Sequence, residues 1–229
     1  MTVIYVLGAA KTEARPVITQ FHQQSLLVRV LWALLILAAV AAAFTGRWSL
    51  TFVAIATLVL ALAPLFLANR LDITLPLPFV AAVTIFLIAS IFMGEAFDFY
   101  ERVWWWDIAL HGSSAIGFGL VGFIFVLMMF EGDRFAAPPW ALCLMAFGLA
   151  VTVGACWEIF EFAMDQWFGL NMQKSGLLDT MGDLIVDVIG AALASWLGYV
   201  YLRAKDRSFW TWPIDRFVAL NKRLFRKHR

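Results

Sequence analysis

Six stretches of mostly apolar residues dominate this 229-residue chain. Each is near the roughly 20 residues that a helix needs to cross a bilayer. They run Leu26 to Phe44, Leu50 to Ala68, Leu77 to Met93, Asp107 to Phe130, Trp140 to Phe162 and Asp183 to Leu202. Connectors carrying Gly46, Pro76 with Pro78, Gly132 with Pro138 and Pro139, and Gly169 with Gly176 separate them. Lipid offers no partner to an open backbone, so segments of this kind fold as helices. The expected class is all-α: a polytopic membrane protein of six transmembrane helices with a C-terminal amphipathic interfacial helix. Composition agrees, at 63% apolar and 14% charged with a mean hydropathy of +0.84, against about 45–50% and 25% in soluble domains. That balance argues against a soluble enzyme, a disordered chain or a nucleic-acid-binding domain, and no nucleic-acid partner is expected.

The chain reads as one integral membrane domain. Residues 1–25 form an amphipathic N-terminal segment, 26–202 the six-helix bundle and 203–229 a basic tail. Met1 to Ala10 lacks the basic start of a cleaved signal peptide, so none is expected. Lys11, Arg15, Arg70, Arg134 and nine basic residues after Leu202 fall on one side of the bilayer, against Arg47, Arg102 and Lys174 on the other. By the positive-inside rule both termini are expected to be cytoplasmic. In the tail, Ile214, Phe217, Val218, Asn221, Leu224 and Phe225 share one helical face, with Lys222, Arg223, Arg226 and Lys227 on another. Such a helix suits the anionic lipid head groups of the inner leaflet or a membrane-protein partner. Val17, Ile18 and Phe21 suggest the same role before the first span.

Small residues indicate which spans touch. Gly190, Ala194 and Gly198 repeat every four residues in the sixth span, as do Ala115 and Gly119 in the fourth. These ridges let backbones approach closely in lipid, so spans four to six are the expected packed centre and the first two the periphery. Cys143 and Cys156 have no metal-ligand spacing and read as small core residues.

Ten of the sixteen acidic residues lie at one end of spans three to six. Asp107 and His111 are four apart. Glu158, Glu161 and Asp165 form one stripe on the fifth span, and Asp179, Asp183 and Asp187 form another at the start of the sixth. Residues three or four apart share a helix face, so three neighbouring helices present acid at one level. From Asp187 to Leu202 is fifteen steps, or roughly 22 Å at about 1.5 Å per residue. In a hydrocarbon layer about 30 Å thick, Asp187 then forms the floor of an outward-opening funnel. Ionised carboxylates there cost about 2.5–3.5 kcal/mol each on insertion scales, and protons or cations must neutralise them. The candidate metal ligands are Asp107, His111, Glu158, Glu161, Asp179, Asp183 and Asp187. Carboxylate oxygens suit Mg²⁺, Mn²⁺ or Ca²⁺, and the imidazole extends the choice to Fe and Zn. Asp98, Glu101 and Asp165 read as loop or cap residues, and Asp179 also fits an N-cap. Trp104, Trp105, Trp106, Trp157 and Trp167 fit an interfacial aromatic belt.

Three blocks carry a family resemblance: Asp107 to His111 with its following glycines, Trp157-Glu158-Ile159-Phe160-Glu161, and Asp179-Thr180-Met181-Gly182-Asp183 running to Gly190-Ala191. Here the chain resembles the YjdF-like family of uncharacterised bacterial inner-membrane proteins, over roughly its C-terminal half. The resemblance implies an uncharacterised membrane protein and no particular activity. Three functions stay open: a metal-dependent enzyme acting on a lipid-linked substrate, a cation- or proton-coupled transporter, and a non-catalytic subunit or assembly factor of a membrane complex.

Overall fold

The computed structural model describes residues 24–130, 137–203 and 209–225. The N-terminal amphipathic segment therefore lies outside the described residues except for Gln24 and Ser25, as do the basic residues Arg134, Lys205, Arg207, Arg226 and Lys227. The fold is all-α, with six helices long and apolar enough to span a membrane. Helices α1 (Leu26–Phe44), α2 (Trp48–Arg70) and α3 (Leu77–Leu87) form the first half, α3 continuing as a π-helical segment over Ile88–Glu95. The short α4 (Phe99–Arg102) leads to α5 (Trp106–Met129), α6 (Pro139–Phe168) and α7 (Leu177–Arg203), and the tail adds α8 (Trp212–Leu220).

The expected spans match closely except at one end of the last two. α6 runs six residues past Phe162, and α7 starts six before Asp183. Charge lowers hydropathy without breaking a helix, so a boundary drawn at the first acid falls short. Gly169 stops α6 in the left-handed conformation, at φ 66°, where a side chain would be strained. Pro138 precedes α6 in extended backbone and Pro139 opens it, the position that tolerates a missing N–H.

Helices α5, α6 and α7 pack pairwise against one another as the centre, as expected. The ridges are the ones the sequence suggested. A Cβ added at Gly190 would run into Ala115, one at Gly119 into Ala194, and one at Gly198 into the Phe123 ring. The first spans are more than a lipid-facing sheath: α1, α2 and α3 enclose a second core of Val28, Trp32, Ala61, Leu65 and Val80. Cys143 is buried and Cys156 exposed, both on the apolar α6.

The tail also departs from expectation. Its helix ends at Leu220, followed by a 3₁₀ turn over Lys222–Leu224. Ile214, Phe217 and Phe225 are buried in one cluster with Phe123, Val126, Leu142 and Tyr201, so the face expected in the leaflet packs on the bundle itself. Asn221 accepts from the Thr74 N–H (2.7 Å) and donates to the Thr74 carbonyl (2.8 Å), and Arg223 pairs with Asp72. The tail thus closes over the loop between α2 and α3. What remains outward mixes Phe209, Trp212 and Leu220 with Arg216, Lys222 and Arg223.

The glycine contacts yield a packing test. Gly190→Leu or Gly119→Leu should lower the melting temperature of the detergent-purified protein by the equivalent of about 1–3 kcal/mol, the usual cost of overpacking. Gly148→Leu, which meets nothing within 4 Å, should change it far less. Circular dichroism melts of the three variants make the comparison.

Candidate metal centre

The extra turns of α6 and α7 put the acidic residues on continuous helix rather than in loops. α7 has 27 residues and α6 has 30, or roughly 40 and 45 Å, against a hydrocarbon layer about 30 Å thick. Both are therefore longer than an untilted crossing of that layer requires. Asp187 lies ten residues into α7, Glu158 ten from the end of α6, and His111 five into α5.

His111 is the hub. Its Nε2 lies 3.8 Å from Asp107 Oδ1, 3.8 Å from Glu158 Oε1 and 4.0 Å from Asp183 Oδ2. On the other side of the ring, Nδ1 is 3.4 Å from both oxygens of Asp187. With Asp187 ionised, Nδ1 donates that hydrogen bond, and Nε2 is the ring nitrogen that faces the three other acids. His111, Glu158, Asp183 and Asp187 are 7%, 4%, 4% and 2% exposed. The Asp107 side chain, at 29%, is where the cluster meets the outside.

Most of this acid is uncompensated. Both carboxylate oxygens of Glu158 and Oδ2 of Asp183 are buried without a hydrogen-bond partner. The Thr180 hydroxyl, which accepts from Gln173 at 2.6 Å, stands beside Glu158 without completing a bond to it. One imidazole carries at most a single positive charge, and four carboxylates surround it. Ligand atoms of Asp107, His111 and Asp183 all lie within 4.8 Å of one another. Donors on opposite sides of an ion bound at about 2.0–2.4 Å are about 4–5 Å apart, so these residues fit around one cation with little movement.

The remaining candidates stand further out. Glu161, one turn beyond Glu158, is half-buried, accepts from Trp157 Nε1 at 3.0 Å and stays within electrostatic reach of Asp107 and His111. Asp179 is not an N-cap, because α7 starts two residues earlier at Leu177. Its carboxylate accepts instead from the Lys174 N–H at 2.9 Å, pinning the preceding loop. Asp165 accepts from the N–H groups of Met172 and Gln173 at 2.7 and 2.9 Å, which makes it a loop clamp as expected. Glu101 pairs with Lys174 at 3.0 Å and Asp98 with Arg102 at 3.5 Å, both at the surface. Of the tryptophans, Trp104 and Trp167 are largely exposed at this end, whereas the Trp106 indole donates to the Ala89 carbonyl of the π-helical segment at 3.2 Å. That bond anchors the start of α5 one residue before Asp107.

Sequence reasoning missed one residue. Gly154 lies one turn from Glu158 on α6, and a Cβ there would overlap the Asp187 carboxylate. The signal was present, since a glycine four residues from a buried acid shares its face.

A sequence profile described as "Predicted membrane protein (DUF2238)" matches residues 24–204. The chain belongs to this family. The DUF2238 match reaches well beyond the C-terminal half in which the resemblance was read and takes in the first three spans, while α8 falls outside it. One relative is an uncharacterised protein of Thermotoga maritima, 34% identical over 118 residues, which cover 52% of this chain and 59% of that protein. The match therefore spans about three-fifths of the relative's length. No solved structure matches.

Structural and central acids should separate experimentally. Asp165→Ala removes two backbone hydrogen bonds and should cost about 1–3 kcal/mol in thermal stability, while leaving any divalent-ion binding intact. Parallel melts with and without added Mn²⁺ read both effects.

Proposed function

We propose that this DUF2238 protein is a metal-dependent membrane enzyme, its divalent ion held by His111, Asp107, Glu158 and Asp183 and reached from one membrane face. The observation that carries the reading is a set of buried carboxylate oxygens, on Glu158 and Asp183, that no protein donor satisfies. A cation compensates them with strong charge and no extra residues. Glu161 and Asp179 form the rim, where either can bind a second group or take a proton. Bound there, an ion such as Mg²⁺, Mn²⁺, Fe²⁺, Zn²⁺ or Ca²⁺ would act as a Lewis acid and lower the pKa of coordinated water.

Packing beneath the cluster favours an enzyme over a transporter. Beyond Asp187 the buried face of α7 continues as Gly190, Ala191 and Ala194 before the next polar residue, Ser195. Gly190 and Ala194 sit against Ala115 and Gly119, leaving no polar path through that interface. The exposed rim of Trp104, Trp105, Trp167, Phe168, Leu177 and Leu178 suits a substrate that itself resides in the bilayer, such as a lipid-linked molecule. The distribution of Lys and Arg supports a centre at the extracytoplasmic face of an inner membrane, with cytoplasmic termini. Arg216, Lys222 and Arg223 on the outer side of the tail then face anionic head groups.

Purified protein should carry a divalent metal near one per chain by elemental analysis. Glu158→Gln and Asp183→Asn should each lose it, and saturating metal should stabilise wild type by about 2.7 kcal/mol at a hundredfold excess over Kd. Metal-free wild type that gains no stability from any divalent ion would end the reading. Tracer uptake into proteoliposomes, abolished by the same substitutions, would favour the cation transporter instead.

A further inference from the structure

The two nitrogens of His111 do different jobs, and that difference bears on which ion fits. Asp187 occupies the Nδ1 side at 3.4 Å, while Nε2 looks toward Asp107, Glu158 and Asp183. A carboxylate behind a histidine fixes the tautomer, aims the lone pair and raises the basicity of the ligating nitrogen. Asp187 is held there by the bare backbone of Gly154, where any side chain would displace its carboxylate. Asp187 is also the most buried of the acids, at 2% exposed.

The donor supply is restricted as well. Asp107, His111, Glu158, Asp183 and Asp187 all lie within continuous α-helices, so their carbonyls are committed to intrahelical bonds. Ca²⁺ takes 6–8 oxygens, commonly including backbone carbonyls, and Mg²⁺ keeps several waters. This centre instead places an imidazole nitrogen among its carboxylates, a donor that these two hard ions do not favour. Imidazole with carboxylates matches manganese, iron and zinc.

Resting on the metal reading above, we infer that the centre selects a transition ion of the Mn²⁺, Fe²⁺ or Zn²⁺ class over Mg²⁺ and Ca²⁺, and that Asp187 is a positioning residue that sets this preference through His111 rather than a ligand.

The test uses metal-free full-length protein in detergent, with Mn²⁺ as a paramagnetic probe and Zn²⁺, Mg²⁺ and Ca²⁺ as competitors. Mn²⁺ should bind at least about tenfold more tightly than Mg²⁺ or Ca²⁺, yield to Zn²⁺, and show nitrogen modulation in its spin-echo spectrum. His111→Gln should abolish that modulation and level the preference. Asp187→Asn should weaken Mn²⁺ about 10–100-fold yet keep one site per chain, with Mg²⁺ affinity little changed. Gly154→Ala, which leaves every ionisable group in place, should act in the same direction. If no divalent ion binds wild type, the metal reading fails together with this inference. If an ion binds but Mg²⁺ or Ca²⁺ matches Mn²⁺, or the nitrogen signal survives His111→Gln, the inference fails alone. Loss of binding in Asp187→Asn as complete as in Asp183→Asn would make Asp187 a ligand and overturn its positioning role.

Discussion

Negative charge gathered around one imidazole, at the packed centre of a membrane bundle, is the constraint on which the rest of this structure turns. Four carboxylates lie within 4.0 Å of His111 ring nitrogens. Each ionised carboxylate in a span costs about 2.5–3.5 kcal/mol on insertion scales, and mutual repulsion adds to that in a low dielectric. Native proteins have only about 5–15 kcal/mol of net stability. A cluster of this kind survives only with compensation. The His111–Asp187 contact supplies a part, while Glu158 and Asp183 keep buried oxygens without a hydrogen-bond partner, which protons or a cation can neutralise.

Holding three helices close enough to concentrate that charge is the work of small residues. Without hydrophobic drive between helices in lipid, close van der Waals approach has to serve. Gly190 and Gly119 let α5 and α7 meet, and Gly122 lies against α6 at Ala146 and Leu149. Gly154 does the same at the cluster itself. The glycines and the acids therefore form one arrangement: a side chain at 154 or 190 would separate the helices that the shared site requires to stay together.

Much of this was legible in the sequence, for identifiable reasons. Six apolar runs report on lipid directly, and the i, i+4 spacing of Asp107 with His111 and of Asp183 with Asp187 needs only helical geometry. The pooling of three acidic stripes followed from the small-residue ridges. Spacing could not rank the acids. Asp165 and Glu158 share a stripe, yet one clamps the backbone of Met172 and Gln173 and the other is buried without a partner. That distinction depends on where the chain turns after Gly169, which is tertiary information. The tail was misread for a similar reason: its amphipathic pattern reports an apolar face but not whether lipid or protein covers it. The Asn221 pairing with Thr74 spans 147 positions, beyond the reach of any local pattern.

The two ends of the bundle are consequently unlike. At one end Ile214, Phe217 and Phe225 seal the helix ends, and Asn221 stitches the tail to the loop before α3. At the other, the loop between α6 and α7 is held by Asp165, Asp179 and Lys174 side-chain contacts rather than by an apolar plug. A loop anchored through surface-exposed ion pairs is easier to open than one packed in a core, because such pairs contribute only about 0–1 kcal/mol each. The Lys174–Glu101 pair joins this loop to α4, and α4 leads into the Trp106–Asp107 start of α5. Displacing that pair would loosen the rim beside Asp107, the one member of the cluster already in contact with the outside, while the Gly190–Ala115 packing keeps the floor shut. The strong contacts thus lie beneath the cluster and the weak ones at its rim, the distribution that the proposed access from one face requires.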